Sequence, residues 1–323
     1  MNLKSFLWPT LASVLVCITP VTVAQTYPAK LIRIVIGFTP GGGVDINARL
    51  LAPKLQEYLG QQVIVDNRPG AGTNIANELV AKSAPDGYTL LMNTAAVAIN
   101  MSLYKKVQYD ALRDFTAVSL FSQSPNILVV HSSVPAKNAK ELIALARVKP
   151  GALNYSSAGS GTTQHLSGEL FKLRTKTDIV HVPYKGSAPS LTALMGGEVS
   201  LSFANIPAIH SHVKSGRLRP LANLGPKRSE LMPEVPIMKE AGVNGVEVVV
   251  WYGVLAPAAT PREIVAKLAE AIGRAARSPD IRQRLIDQGA EPVGSTAEEF
   301  GKLLKEEVVK WAEVVKVSGA RAD

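Results

Sequence analysis

The sequence predicts an α/β fold: parallel strands carrying helices on both faces. Three observations predict it. A strand pattern, a short glycine-rich loop and a helical pattern alternate along the chain, and that alternation builds parallel sheets. The chain has 323 residues, which suits two domains of ordinary size or one large one. Hydrophobic residues are 46% and charged residues 19%, a core-forming balance rather than a disordered or collagen-like one.

The first unit opens with Leu31 to Phe38, a β-branched run followed by the loop Thr39-Pro40-Gly41-Gly42-Gly43-Val44-Asp45. Ile46 to Leu59 then has helical periodicity, with Ile46, Leu50, Leu51 and Leu55 on one stripe and a stop at Gly60. The second unit follows at once. Gln62 to Asn67 is the strand, Arg68 to Asn74 the loop, and Ile75 to Lys82 the helix. A third runs from Leu153–Ser157 through Ala158–Thr163 to a helix over Gln164–Leu173. The fourth runs from Ile179–Tyr184 through Lys185–Pro189 to a helix ending near Gly196 and Gly197. Thr296 to Ser318 reads as one amphipathic helix carrying Phe300, Leu303, Leu304, Val308, Val309, Trp311 and Val315, with Trp311 in the core.

The N-terminus has the layout of a secretory signal over residues 1–24. Lys4 is followed by the apolar stretch Leu11–Ile18, then Pro20 and the small-residue end Thr22-Val23-Ala24. The apolar run is shorter than the ~20 residues a membrane span needs. Cleavage there removes Cys17, the single cysteine, so a disulfide framework and cysteine metal sites are excluded. The net charge of +9 is spread along the chain without a basic block, and aromatics are only 6%, which argues against nucleic-acid binding.

In parallel sheets, ligands bind outside the carboxyl ends of the strands. All four glycine-rich loops fall at such ends, and each opens a helix. A helix N-terminus offers unpaired N–H groups and roughly half a positive charge. Several such termini aimed at one crevice make an anion site with no arginine, and neither Gly41–Asp45 nor Gly159–Thr163 contains a basic residue. Asp45 reads chiefly as an N-terminal cap, because a buried carboxylate repels an anion.

Other chemistries find less support. Thr39–Asp45 lacks the Gly-Lys-Ser/Thr ending of a nucleotide phosphate loop, and Ile75 spoils the dinucleotide fingerprint begun at Gly70. The Gly-x-Ser-x-Gly elbow is absent. Ser160 and His165 form the one nucleophile–base pair to weigh, so a secreted Ser/His hydrolase is the competing enzyme reading. His181, His210 and His212 are scattered, with no acidic residue at ligand spacing, so no metal and no cofactor is expected.

Several pieces together resemble one family, the extracytoplasmic solute receptors of tripartite tricarboxylate transporters (the Bug family). They are Phe38–Asp45 with Ala48-Arg49, Asn67–Gly72, Pro85–Leu90, Ser156–Gly159 with His165-Leu166, His181–Gly186, Trp251–Gly253 with Ala256-Pro257, and Glu298–Phe300. Departures fall at Gly43-Val44 and at Ser202–Asn205, positions that bear on ligand identity. The resemblance implies a two-lobed periplasmic binding protein that closes on a small carboxylate: a di- or tricarboxylate, an acidic amino acid or an aromatic acid. It implies a type II arrangement, each lobe a mainly parallel sheet flanked by helices, with lobe I over 25–124 and 249–323 and lobe II over 125–248. The implied ligand residues are Phe38, Thr39, Gly41, Gly42, Gly43, Val44, Asp45, Ala71, Gly72, Thr73, Thr94 and Ala95 from lobe I. Lobe II adds Ser157, Gly159, Gly161, Thr162, Thr163, His165, Tyr184 and Asn205, with Lys185 at the cleft rim. The expected protein is a periplasmic monomer without enzymatic activity, served by transient contact with membrane transporter subunits. A solute sensor feeding a signalling system is the alternative within the family.

Overall fold

A computed structural model describes residues 27–322. The expected signal segment therefore lies outside the described residues. In chain order the elements are β1 (Ile32–Ile36), α1 (Gly43–Leu59), β2 (Val63–Asn67), α2 (Asn74–Ala81), β3 (Thr89–Asn93), α3 (Ala96–Leu103) and β4 (Phe115–His131). Then come α4 (Ala139–Val148), β5 (Asn154–Ser157), α5 (Thr163–Thr175), β6 (Val180–Pro183), α6 (Ser187–Met195), β7 (Leu201–Asn205), α7 (Ile206–Lys214) and β8 (Leu218–Asn223). The chain ends with β9 (Val249–Pro257), α8 (Arg262–Arg277), α9 (Pro279–Asp287), β10 (Glu291–Pro292) and α10 (Ala297–Ser318).

The four strand–loop–helix units are present, and their strands pair in parallel: β1 with β2 and β3, and β5 with β6 and β7. Two lobes result, the first built on β1–β3 and the second on β5–β7. Antiparallel strands join them, which the alternating pattern did not announce. The 17-residue β4 runs against β9 over Phe115–Pro125, then against β7 and β8 from Asn126 onward. One continuous strand path, β2-β1-β3-β9-β4-β7-β5-β6, therefore crosses from lobe to lobe.

Two helices differ from expectation in ways that geometry explains. Helix α1 starts at Gly43, three residues earlier than the periodicity placed it, so its buried stripe is Val44, Ala48, Leu51, Ala52 and Leu55. Helix α10 has the expected bounds, with a capping box between Thr296 and Glu299, a device worth about 1 kcal/mol. Its inward face is Phe300, Leu304, Glu307, Trp311 and Val315, while Val309 is 71% exposed. Three and four residues from Leu304 and Trp311, the register selects Glu307 rather than Val309. That buried carboxylate accepts N–H bonds from Trp251 (3.0 Å) and Trp311 (2.7 Å), tying α10 to the inter-lobe strand β9. No helix among the described residues is long and apolar enough to cross a membrane.

Candidate functional site

The carboxyl ends of the parallel strands in the two lobes face each other, and the lobes are closed. Glycines make the close approach possible. A β-carbon on Gly42 would lie 3.3 Å from Ser187 Cβ across the gap. On Gly43 it would collide with the Asn205 amide, on Gly72 with Ser160 O, on Gly161 with the Asn100 amide, and on Gly186 with the Thr39 hydroxyl. Direct bonds also cross the same face: the Tyr104 hydroxyl donates to Ser160 O at 3.3 Å. Beside it, Asn205 at the end of β7 is hydrogen-bonded to the Tyr252 hydroxyl of β9.

Two cavities lie in the cleft and share Phe38 and Ala158 as an apolar waist. The inner one, about 30 Å³, is lined by Phe38, Gly42, Gly43, Val44, Thr94, Ala158, Thr162, Thr163, Gln164, Ser187, Asn205, Val250 and Tyr252. It has room for roughly two water-sized groups. No charged side chain lines it. Four helix N-termini open on it instead. Gly42 is the N-cap of α1, Thr162 of α5, Gly186 of α6 and Asn205 of α7. The caps of α1, α6 and α7 contribute no side-chain bond, so first-turn N–H groups there stay open. The outer cavity, about 200 Å³, is lined by Gly37, Phe38, Gly70, Ala71, Gly72, Thr73, Tyr104, Ala158, Gly159, Ser160, Pro183, Tyr184 and Lys185. Lys185 is exposed and is its one cation.

The expected ligand residues divide into three groups. Phe38, Gly42, Gly43, Val44, Thr94, Thr162, Thr163 and Asn205 line the inner cavity. Phe38, Ala71, Gly72, Thr73, Gly159 and Tyr184 line the outer one. Thr39, Gly41, Asp45, Ala95, Ser157, Gly161 and His165 line neither.

Several of this last group hold the loops up from behind. Asp45 does not cap α1. Its buried carboxylate accepts from Gly41 N–H (3.0 Å), Arg49 Nε (2.9 Å) and Asn67 Nδ2 (3.0 Å), closing the first loop into a clasp. Burial pushes its pKa up, but the Arg49, Gly41 and Asn67 hydrogen bonds outweigh this and hold it below the usual carboxylate range. In the second lobe three of the loop amides are already taken. Ala158 N–H donates to Gln164 Oε1 (2.6 Å), Gly159 to Ser157 Oγ (3.1 Å), and Gly161 to His165 Nδ1 (3.2 Å). The glycine pattern had suggested that these N–H groups face a ligand; they face inward. The donors left on that side belong to the first turn of α5, at Thr163 and Gln164.

Sequence reasoning missed Gln164, Ser187, Val250 and Tyr252 of the inner cavity, and Tyr104 of the outer. Tyr252 belongs to the family-like piece Trp251–Gly253 but sits inside a run that reads as plain core, Val248 to Val254, and its pairing with Asn205 is what ties it to the cleft. Burial raises the Tyr252 pKa far above the ordinary phenol value, so its hydroxyl stays protonated. The Asn205 amide lines the inner cavity beside that hydroxyl. Asn205 Oδ1 is buried without a partner.

Residues 47–320 match the pattern of the tripartite tricarboxylate transporter family receptor, TctC. The chain belongs to this family. The receptor is 39% identical over 300 residues to the protein BugT of Bordetella pertussis, covering 92% of each chain. It also resembles an R. palustris protein solved with adipate (38% identity, TM-score 0.88, covering 91% of this chain and 99% of that one). MatC of Rhodopseudomonas palustris, solved with bound malate, is 32% identical at a TM-score of 0.86, covering 90% of this chain and 100% of MatC. The family is one of solute-binding receptors with the two-lobed periplasmic binding protein fold.

Proposed function

We propose that the receptor is a periplasmic protein that captures a small carboxylate between its lobes and passes it, unchanged, to the membrane subunits of a tripartite tricarboxylate transporter. The observation that carries this reading is the inner cavity, where four helix N-termini meet with no charged side chain. Such a chamber stabilises an anion by fixed dipoles, each worth up to ~2 kcal/mol where partly buried. The two solved relatives hold adipate and malate, which fits the same chemistry.

One carboxylate group occupies the inner cavity in this reading, held by Gly43 and Val44 N–H, Thr163 and Gln164 N–H, Ser187 Oγ and Asn205 Nδ2. The ligand body passes the Phe38–Ala158 waist, and a second polar end reaches the outer cavity under Tyr184 and Lys185. The lobes divide at 124/125 and 248/249, close to where β4 changes partners, and the protein acts as a monomer without cofactor or metal. Closure shifts the open–closed population by the ligand's differential affinity for the two forms.

The hydrolase reading fares worse. The His165 imidazole is buried behind the loop with Nδ1 taken by Gly161 N–H. Two serine–histidine side-chain hydrogen bonds occur among the described residues: Ser133–His131, which lies outside both cavities, and Ser157–His181, whose serine is 0% exposed.

A thermal-shift panel of di- and tricarboxylates, acidic amino acids and aromatic acids tests the proposal. A true ligand at about 100 times its Kd stabilises by about 2.7 kcal/mol, which for a chain of this size raises Tm by about 5 °C. A panel with no shift anywhere contradicts it.

A further inference from the structure

Behind the second-lobe loop lies a group of buried polar side chains that the binding reading does not use. The imidazoles of His165 on α5 and His181 on β6 are stacked, with centroids 4.0 Å apart and planes at 13°. Tyr155 of β5 stacks on the far side of His181 at 4.8 Å. Each imidazole reaches one glycine of the loop. His165 Nδ1 accepts from Gly161 N–H directly. His181 Nε2 bonds Ser157 Oγ at 2.7 Å, and that oxygen accepts from Gly159 N–H.

Gly159 and Gly161 both have positive φ, +134° and +83°, a backbone without strong local preference that needs an outside constraint to stay in one conformation. The stack supplies it. We propose that His165 and His181 form a neutral, stacked positioning pair, whose task is to fix residues 158–163 so that the first turn of α5 faces the ligand. This rests on the reading that the loop borders the carboxylate site.

Neutrality is built into the arrangement. A proton on His165 Nδ1 would set one donor against another, Gly161 N–H. The groups facing the pair are the Tyr155 hydroxyl, which donates to His165 O and Glu169 Oε1, and the Glu169–Lys172 ion pair at 3.1 Å. Burial, with Lys172 nearby, pulls the His165 pKa down to about 4. Burial, with His165 beside it, pulls that of His181 to about 3. Both rings are therefore uncharged across the neutral range. The linkage follows: an unfolded imidazole binds a proton below about pH 6.5 that the folded one refuses down to about pH 4, so stability falls across that window as pH drops.

Three variants test the pair. His165→Phe keeps a flat ring in the stack and removes the acceptor. His165→Asn returns an acceptor near the Nδ1 position. Ser157→Ala cuts the second arm, and it decides the matter if the phenylalanine variant does not fold. Amide hydrogen exchange over residues 158–163 in the unliganded protein is the first readout, and calorimetric affinity for adipate and malate is the second. We expect exchange at Gly161 at least tenfold faster in His165→Phe, affinity for the bound probe at least tenfold weaker, and both within about threefold of wild type in His165→Asn. His165→Phe should also lose less Tm than wild type between pH 7 and pH 5. Unchanged exchange in His165→Phe and Ser157→Ala overturns the proposal. So does an asparagine variant no better than the phenylalanine one, or faster exchange with undiminished affinity. The exchange readout needs no ligand. Wild-type protein that binds neither probe therefore counts against the functional reading, separately from the positioning claim.

Discussion

Gly42→Val should fold normally and bind its carboxylate about a hundredfold more weakly than wild type. Gly42 caps α1 with φ −86° and ψ 171°, extended backbone that valine adopts without strain. Its first-lobe surroundings leave room for a β-carbon: the nearest atoms are all of Ser187, in the second lobe, at 3.3 Å for Cβ and 3.5 Å for Oγ. Valine adds two methyl groups beyond that point. The clash therefore exists only in the closed form, where overpacking costs about 1–3 kcal/mol. Three kcal/mol of bias against the binding-competent form is a factor of over a hundred in apparent affinity. Calorimetric titration reads the affinity, and the Tm of unliganded protein should stay within a few degrees. Gly43, Gly72 and Gly161 are poorer probes, since a β-carbon there meets groups on its own lobe as well or demands a positive φ. A valine variant with wild-type affinity shows that the Gly42–Ser187 contact is not part of the bound state.

The second large effect belongs to Asn205→Asp. Asn205 is buried, lines the inner cavity and is hydrogen-bonded to Tyr252. The aspartate retains an acceptor for the Tyr252 hydroxyl, so the link to β9 is kept. What it loses is the Nδ2 donor, and what it adds is a negative charge facing the ligand's own. Like charges juxtaposed in a closed interface cost several kcal/mol, so carboxylate binding should fall by more than a thousandfold. Asn205→Ala, which only removes the hydrogen bonds, should lose about ten- to thirtyfold. The ordering of the two is the informative result. If alanine and aspartate are equally weak, Asn205 serves closure and does not face the ligand's charge.

Much of the fold was legible because its units are local. Each strand is a short β-branched run, each loop is glycine-rich and each helix has a clear period, so β1–α1, β2–α2, β5–α5 and β6–α6 could be placed within a few residues. The antiparallel strands were less accessible. The family resemblance puts a crossing between lobes at 124/125, but the run from Phe115 to His131 does not itself say that one half pairs with β9 and the other with β7 and β8. Pairings of that kind are set by what lies 71 residues away (Val130 with Leu201) to 142 residues away (Phe115 with Pro257).

The site divides in the same manner. A glycine-rich loop before a helix announces exposed amides, and at Gly43 and Val44 that signal led to the cavity. The same signal at Gly159 and Gly161 misled, because a glycine pattern does not report which way an N–H points. Here His165 and Ser157 captured both. Asp45 was placed at the right loop with the wrong partners. Its clasp needs Asn67, 22 residues on, and only folding β1 beside β2 brings the two together. Tyr252 looked like core because it is core, fully buried on β9, with a single polar atom turned to the cleft.

The central claim is that backbone and neutral side-chain donors at converging helix N-termini, rather than cationic side chains, hold the carboxylate between closed lobes. A crystal structure of the receptor with its bound carboxylate tests this most directly. The account predicts carboxylate oxygens within hydrogen-bond distance of the N–H groups of Gly43 or Val44 on one lobe and of Thr163 or Gln164 on the other, with no arginine or lysine in the inner cavity. A ligand held instead by an ion pair to a lysine or arginine, or seated outside the space between Gly42 and Asn205, contradicts it.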